Sequence, residues 1–356
     1  MFAKKLAPAI LFVVLASSTA ADSLLVHQRR FMPCEDLIYC PPQAAVRLGG
    51  DSVVVASNMG IFLQPNADAA WEEVIYCYGW NEPPPERECL AKKPLTSLLM
   101  PDGIWVLPND RETLVYDCGC PALYVFQIDT PEGSSVSLWS SMTEDVQDVN
   151  VQGQTVIGSV PRYTGKYGLL IWDAGAQEPR KAFRYPEGLA RRLDSVGVGS
   201  GDKFCFPAFD PEGRCLWIAI YGYGYMYIAD MDGHIRDSVA VRASDYKIAP
   251  EIKSRIKSDA VAREWLSQWT QIRRLRYVAP GYFLLQYDVG PVMIGATRIR
   301  SCGTAVWRTS GEEVSLSVPE HWQLAGVEAD GEMIFVRYQS EEDRHGVELF
   351  MTRLKR

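Results

Sequence analysis

The sequence predicts an all-β fold in which six four-stranded sheets close into a ring, a six-bladed β-propeller. Short apolar strands recur in pairs around Gly-bearing tips along the whole chain. The tips lie roughly 50 to 70 residues apart, close to the period of a four-stranded propeller blade with insertions. The last unit also lacks one strand, and an apolar segment near the N-terminus can supply it.

The first residues have the three-part layout of a secretory signal peptide. Lys4 and Lys5 precede an apolar run over 6–16, and small residues fill 17–21. No later run approaches the roughly 18 to 20 apolar residues of a membrane-spanning helix. We therefore expect residues 1–20 to be a signal peptide and residues 21–356 to be one propeller domain, periplasmic or secreted and without a transmembrane segment.

The balance of charge excludes some partners. The formal net charge is −8, and residues 1–20 contribute two lysines to it, so the exported part is more acidic still. Nucleic acids and anionic membranes are held chiefly by Lys and Arg. Neither is expected as a partner, and the chain is expected to be monomeric.

The chain has nine cysteines, which fits an oxidising compartment, and the odd number leaves at least one thiol without an intramolecular partner. Cys118-Gly119-Cys120 could suggest a metal site. However, none of the four histidines, His27, His234, His321 and His345, lies at ligand spacing from it. Structural disulfides or buried thiols are the favoured interpretation, with connectivity left open.

Each repeat consists of an apolar strand, a tip and a second strand rich in Val, Ile, Phe or Trp. A tight turn needs a residue with positive φ, which glycine adopts without a steric cost. Five copies carry a second tip after a third strand. The first tips are placed at Gly50, Gly103, Gly153, Gly213, Gly281 and Gly331, and the second tips at 65–68, 130–133, 173–175, 232–233 and 310–311.

Two further segments complete the predicted ring. Residues 250–269 are amphipathic and predict a helix inserted between the fourth and fifth units. The sixth unit ends with a strand over 347–354, and the unpaired apolar stretch 23–31 is predicted to fill its open edge. Closure of this kind leaves no exposed edge strand. An eight-stranded barrel or two stacked β-sandwiches is the structural alternative.

The stretch "FDPEGRCLWI", followed by "DMDG", resembles the repeats of six-bladed propellers of the TolB-like and NHL-like group, especially exported bacterial ones with a short inserted helix. The resemblance covers nearly all of the chain after the signal peptide. It implies the fold more than a function.

A propeller binds ligands at the mouth of its central channel. Connections between second and third strands, and those between blades, should lie opposite the tips. Aromatic, Arg and Asn residues recur there, as in many binding surfaces. The alternative is that Tyr and Gly alternate because the tyrosines pack against a neighbouring blade. The candidate ligand-binding residues are Asn58, Arg111, Arg162, Tyr163, Tyr221, Tyr223, Tyr225, Tyr287 and Asp288.

The sequence predicts no catalytic residue, metal or cofactor. Asp230 to Gly233 resembles the start of a calcium loop but lacks the later acidic ligands, so a simple turn is favoured. A Gly-x-Ser-x-Gly elbow is missing from the sequence. His321, next to Trp322, is interpreted as a residue packed between blades.

The leading hypothesis is an exported, non-catalytic binding or scaffolding module that holds a protein, peptide or glycan on its loop-rich face. One alternative is a divalent-metal-dependent hydrolase or lyase of the lactonase or strictosidine-synthase-like propeller type. Another is a structural role in a larger assembly of the cell envelope.

Overall fold

The structure of the protein is a computed structural model. It describes residues 22–33, 42–48, 50–57, 60–77, 97–98, 101–106, 112–117, 122–127, 135–141, 148–152, 155–160, 167–173, 178–196, 205–250, 258, 261, 264–265, 268–278, 281–289, 292–294, 297–299, 302–314, 316–319, 321–328, 330–341 and 344–355. The predicted signal peptide lies outside these residues.

Strands dominate the described residues. The chain opens with β1 (Asp22–Pro33), which joins the last sheet. Sheet I contains β2 (Pro42–Leu48), β3 (Ser52–Ser57), β4 (Gly60–Gln64), β5 (Glu72–Cys77) and β6 (Ser97–Leu98). Sheet II contains β7 (Pro101–Val106), β8 (Glu112–Asp117), β9 (Ala122–Gln127) and β10 (Ser135–Ser141). Sheet III contains β11 (Asp148–Gln152), β12 (Thr155–Ser159), β13 (Tyr167–Asp173) and β14 (Arg180–Arg184), and helix α1 (Glu187–Val196) follows it.

The second half of the chain continues the same order. Sheet IV contains β15 (Cys205–Asp210), β16 (Cys215–Ile220), β17 (Tyr225–Ala229) and β18 (Ile235–Ala240). Sheet V contains β19 (Gln271–Val278), β20 (Tyr282–Asp288), β23 (Cys302–Arg308) and β24 (Glu313–Val314), with a separate ribbon of β21 (Val292–Ile294) and β22 (Thr297–Ile299). Sheet VI contains β25 (Leu316–Ser317), β26 (Gln323–Val327), β27 (Met333–Glu341) and β28 (Arg344–Lys355), together with β1.

The first strand of each sheet lies at the inner side of a ring. Contacts join β2 to β7, β7 to β11, β11 to β15, β15 to β19, β19 to β26, and β26 back to β2. These inner strands enclose a central space, called the channel below. Sheets of antiparallel strands arranged radially around a channel constitute a β-propeller, and the predicted propeller fold is confirmed.

The hydrophobic core lies between neighbouring sheets. Trp217 of sheet IV stacks on Phe283 of sheet V, with ring centroids 4.3 Å apart. Every residue of β16 is buried. Because both faces of a middle strand are covered by adjacent sheets, the stretch 215–220 is apolar throughout instead of alternating with polar residues.

The N-terminal strand closes the ring, as the sequence predicts. β1 pairs antiparallel with β28 along nearly its whole length, from Ser23 opposite Lys355 to Pro33 opposite Gly346. Its first residues also pair with β25. The chain therefore ends beside its first described strand, and β1 supplies the strand that sheet VI lacks.

A group of charged side chains, called the closure network below, reinforces this junction. Glu332 is fully buried, and its carboxylate lies 2.7 Å from His27 Nε2 of β1. Arg47 of sheet I donates to both oxygens of Glu332, at 3.0 and 2.9 Å. Arg30, whose side chain is also fully buried, pairs with Asp51 at 2.6 Å. The network thus ties β1 to the first tips of sheets VI and I.

The tips follow the predicted chemistry only in part. Gly50, Gly281 and Gly331 adopt positive φ of 74°, 84° and 83°. In the turn at Gly213 the positive φ belongs to Arg214 instead, at 46°. A Cβ at position 213 would lie 2.6 Å from Asp210 Oδ2, so a larger residue there would displace the Asp210 side chain.

The prediction of a tip at Gly103 is wrong. Gly103 lies within β7, where the register shifts between Pro101 and Gly103 as β7 pairs with β8. An irregularity of this kind is a usual place for glycine inside a strand. The hairpin of sheet II falls after Val106.

Helix α1 was not predicted. It begins after Pro186, whose carbonyl accepts the amide of Ala190 at 2.8 Å, and it buries Leu189 between sheets III and IV. Of the predicted helix over 250–269, residues 261, 264 and 265 are helical, and most of the remainder lies outside the described residues. No helix in the described ranges is long and apolar enough to cross a membrane.

Three cysteines whose surroundings are described carry free thiols. Cys205 and Cys215 are buried, and Cys302 is partly buried. Burial raises the pKa of Cys205 to about 12, although a contact with the Tyr185 hydroxyl opposes the shift. These residues fit the buried-thiol interpretation, and no disulfide joins them.

Candidate binding face

The two edges of the ring differ in what they carry. Within each sheet, the connection from first to second strand and that from third to fourth lie on one edge, called the tip edge. Connections from second to third strand, and from one sheet to the next, lie on the other, called the loop edge. The predicted candidates Tyr221, Tyr223, Tyr225, Tyr287 and Asp288 belong to the loop edge of sheets IV and V.

The turn between β16 and β17 is held from outside. Gly222 adopts a φ of 63°, and its carbonyl accepts the amide of Ala249 at 3.1 Å. The Tyr246 hydroxyl donates to the carbonyl of Tyr223 at 3.2 Å. The segment that leads from sheet IV to sheet V therefore lies across this turn and fixes its shape.

The same segment reaches sheet V. The ring of Tyr246 packs edge-on against that of Tyr287, with centroids 5.0 Å apart. The Tyr287 hydroxyl donates to Asp245 at 2.7 Å. Asp288, the next residue, accepts from Arg273 Nε at 2.6 Å. Tyr287 and Asp288 are thus both engaged within the protein, and they position Asp245 and Arg273 at this edge.

An exposed apolar and aromatic surface lies beside this network. Tyr225 is 47% exposed and Ile248 is 48% exposed. The Tyr225 ring lies 5.7 Å from that of Tyr223, measured between centroids. A Cβ at position 224 would lie 2.4 Å from Ile248 Cδ1, so glycine there lets Ile248 lie directly over the turn. The surface formed by Tyr225 and Ile248 is called the Tyr225 surface below.

The structure brings some predicted residues together and leaves others undescribed. Tyr223 and Tyr287 are joined through Tyr246. Tyr221 and Tyr223 also pack against the core between sheets III and IV, as the packing alternative suggests for these two residues. Asn58, Arg111, Arg162 and Tyr163 lie outside the described residues.

Sequence reasoning missed Asp245, Tyr246, Ile248 and Arg273. The first three lie in a 30-residue connection, 241–270, that has no repeat signature. Arg273 lies at a register shift between Ile272 and Arg274. A shift of this kind cannot be read from the alternation of residues. The three arginines within 273–276 were the available signal.

Burial sets the ionisation of the groups at this edge. It raises the pKa of Tyr287, and the neighbouring Asp245 raises it further. It raises the pKa of Cys302 to about 12 against the opposing effect of Arg273. It also raises that of Tyr338 to about 12, although Arg273 and Arg274 lower it. These hydroxyls and this thiol remain protonated at neutral pH and act as neutral hydrogen-bonding groups.

A candidate cation site lies on the opposite edge. Ligand atoms of Asp230, Asp232 and His234 lie within 4.8 Å of one another. Asp230 Oδ1 accepts the amides of Asp232 and His234 at 3.0 and 2.9 Å, and Arg180 pairs with Asp232 at 3.0 Å. These contacts account for the acidic groups as a hydrogen-bonded turn, which agrees with the favoured interpretation of this stretch.

The interpretation of His321 as a packed residue is wrong. His321 is exposed and adopts a φ of 69°. Trp322 is the packed member of the pair, since it is buried and stacks on Phe350 with centroids 4.0 Å apart.

These observations define a β-propeller protein whose loop edge, between sheets IV and V, combines an ordered tyrosine network with an exposed apolar surface. No protein-family model matches the chain. No curated protein matches it either.

Solved structures share the fold. The chain is similar to a member of the DUF4221 family from Bacteroides vulgatus, with 10% identity and a TM-score of 0.60 over 94% of this chain and 99% of that one. It is similar to a Bacteroides fragilis protein thought to be exported, with 9% identity and a TM-score of 0.54 over 94% and 96% of the two chains. A gluconolactonase from Xanthomonas campestris has 9% identity and a TM-score of 0.50 over 93% and 91%. At these identities the likeness concerns the fold alone, and the resemblance to the TolB-like and NHL-like group stays a prediction.

Proposed function

We propose that this chain is an exported six-bladed propeller that binds a protein, peptide or glycan on its loop edge and catalyses no reaction. Within the described residues, six sheets of four or five strands, with inner strands in contact around the ring, support six blades. The three-part layout of residues 1–20 supports export.

The observation that carries the proposal is the Tyr225 surface. Its two side chains are about half exposed, yet the turn beneath them is fixed by hydrogen bonds from the 241–270 connection. A rigid exposed aromatic residue beside an aliphatic one gives contact area at a low cost in conformational entropy, as in the centres of many interfaces.

A binding screen with variants tests this proposal. Purified protein lacking residues 1–20 is screened on a glycan array and a peptide library, and the affinity of each ligand is compared with that of the Y225S/I248S double variant. We expect the affinity to fall at least about thirtyfold, which corresponds to the roughly 2 kcal/mol of one hot-spot residue. Ile235, 40% exposed at the start of β18, provides the matched control I235S. Ligands that bind the double variant as well as the unmodified protein would remove the Tyr225 surface from the proposal.

The alternative is a metal-dependent hydrolase or lyase. It is favoured by the likeness in fold to a gluconolactonase and by the Asp230, Asp232 and His234 group. That group lies on the tip edge, away from the channel mouth on the loop edge. Elemental analysis distinguishes the two functions, because stoichiometric calcium or zinc together with hydrolysis of a lactone would support the enzyme.

A further inference from the structure

Strand β1 lies on the outer side of sheet VI. It pairs with β28 from Ser23 to Pro33, whereas on its other side, in the described ranges, only Asp22 and Ser23 have a strand partner, which is β25. The inner strand of the same sheet is β26, and it contacts the inner strands β2 and β19 of the neighbouring sheets. Among the described strands, β1 can therefore leave sheet VI without breaking the contacts that join the inner strands.

Few apolar side chains hold β1 in place. Of residues 24–32, all of which the structure describes, Arg30 and Met32 are buried and the others are partly buried or exposed. Leu25 is 54% exposed. In β28, by contrast, Val347 and Leu349 are fully buried. Because the free energy that holds a segment rises with the apolar area that it buries, β1 should open at a lower cost than the rest of the sheet.

Polar groups on sheets I and VI make specific contacts with β1. The buried carboxylate of Glu332 lies 2.7 Å from His27 Nε2. Arg30 pairs with Asp51 at 2.6 Å and donates to Gln64 Oε1 at 3.1 Å. These three acceptors belong to sheets I and VI, so they stay in place when β1 leaves. A strand that takes the place of β1 must therefore carry a hydrogen-bond donor at the position of His27 and a guanidinium group three residues later.

The direction and register of such a strand are fixed as well. Trp71 Nε1 donates to the carbonyl of Phe31 at 2.9 Å, and the ladder with β28 is antiparallel. The register shifts between Val26 and Gln28, so His27 lies at an irregularity of the ladder. The edge of β28 and the polar groups around it thus match the sequence of β1 itself, and every copy of the chain carries that sequence.

We propose that β1 opens while the other strands stay folded, and that it exchanges with the β1 of a second copy of this chain. The vacated edge of β28 is then a strand-binding site, and the incoming strand remakes the contacts of the closure network. Exchange in both directions gives a dimer with the same contacts as two monomers, which makes it a route to association at low cost. The site lies on sheet VI, apart from the Tyr225 surface, so it can be tested independently of the proposed function.

Hydrogen exchange tests the opening. The amides of β1 and β27 are followed by mass spectrometry in the protein without residues 1–20. We expect the protection of β1 to be at least about a hundredfold lower than that of β27, because β1 opens without unfolding of the whole domain. Equal protection of the two strands would overturn the proposal.

A synthetic peptide of residues 22–33 tests the exchange, because it stands for the β1 of a second copy. A donor dye on the N-terminus of the peptide and an acceptor dye at the C-terminus of the protein report its binding beside β28, since Ser23 lies opposite Lys355. We expect saturable energy transfer, and an affinity at least about tenfold lower for an R30Q peptide, the size of a hydrogen bond to a charged group. No energy transfer, or a scrambled peptide that binds equally well, would overturn the proposal, and this comparison leaves the protein unmodified.

The same substitution in the protein should have the opposite effect. In R30Q protein the chain's own β1 competes less well for β28, so the unmodified peptide should bind at least about tenfold more tightly than it binds to the wild type. R308Q, at an exposed arginine paired with nearby Glu312, is the matched control and should bind the peptide as the wild type does. A folded R30Q protein with unchanged affinity would show that the peptide binds elsewhere.

Discussion

Replacing Glu332 by glutamine should weaken the closure of the ring. The carboxylate is fully buried, 2.7 Å from His27 Nε2, and accepts two bonds from Arg47 at 3.0 and 2.9 Å. Removing one member of a buried ion pair costs about 3 to 5 kcal/mol because the other charge is left unpaired. Arg47 is 28% exposed and can recover some hydration. We therefore expect the free energy of unfolding to fall by an amount near the lower end of this range, about 3 kcal/mol.

Urea unfolding followed by tryptophan fluorescence measures this loss, and calorimetry should show a melting temperature lower by roughly 4 °C for a domain of this size. The matched control is E312Q, at a pair with Arg308 in which both side chains are at least half exposed. Such pairs contribute about 0.2 to 1 kcal/mol. If E332Q and E312Q lose the same small amount, the closure network does not stabilise the ring and the reasoning is refuted.

Three further predictions concern a buried carboxyl group, two glycines and two thiols. Burial raises the pKa of Glu328 to about 7, so between the ordinary glutamate pKa and 7 the folded state binds more protons than the unfolded state. Stability therefore falls as the pH rises through this window. The urea midpoint of the wild type should be lower at pH 8 than at pH 5, and this difference should be smaller for E328Q. G188A should stabilise helix α1 by about 0.5 to 1 kcal/mol, because a Cβ there meets nothing within 4 Å. G233A should destabilise the protein strongly, because its Cβ would lie 1.9 Å from the Phe183 amide nitrogen. Melting temperatures of both variants equal to that of the wild type would contradict both expectations. Cys205 and Cys215, whose pKa values burial raises to about 12 and 11, should resist alkylation at pH 8 until urea unfolds the chain, and peptide mapping that finds them labelled in the native protein would disprove this.

The repeated pattern was sufficient to predict the ring, because each strand pair must bury two apolar faces and no single unit can do so alone. It also predicted that the start of the chain pairs with its end, since Val347 to Leu354 lacked a neighbour and β1 had no unit of its own. The pattern failed at Gly103, where a glycine inside a strand looks the same in sequence as a glycine at a tip.

The sequence could locate the candidate site only to the loop edge of the ring, without its full set of residues. Tyr223, Tyr225 and Tyr287 were found because they lie in or beside strands whose alternation locates the loop edge. Tyr246 and Ile248 were not, because they come from a long connection whose path depends on packing against the turn at Gly222.

By itself, the sequence determined the strand repeat, the closure of the ring and the acidic net charge, because these depend on local periodicity and on composition. Only the tertiary structure decided which charges meet. His27 and Glu332, or Asp148 and Arg276, are far apart in the chain and close in space. Their pairing depends on how the sheets are oriented around one channel, and residue spacing carries no information about that orientation.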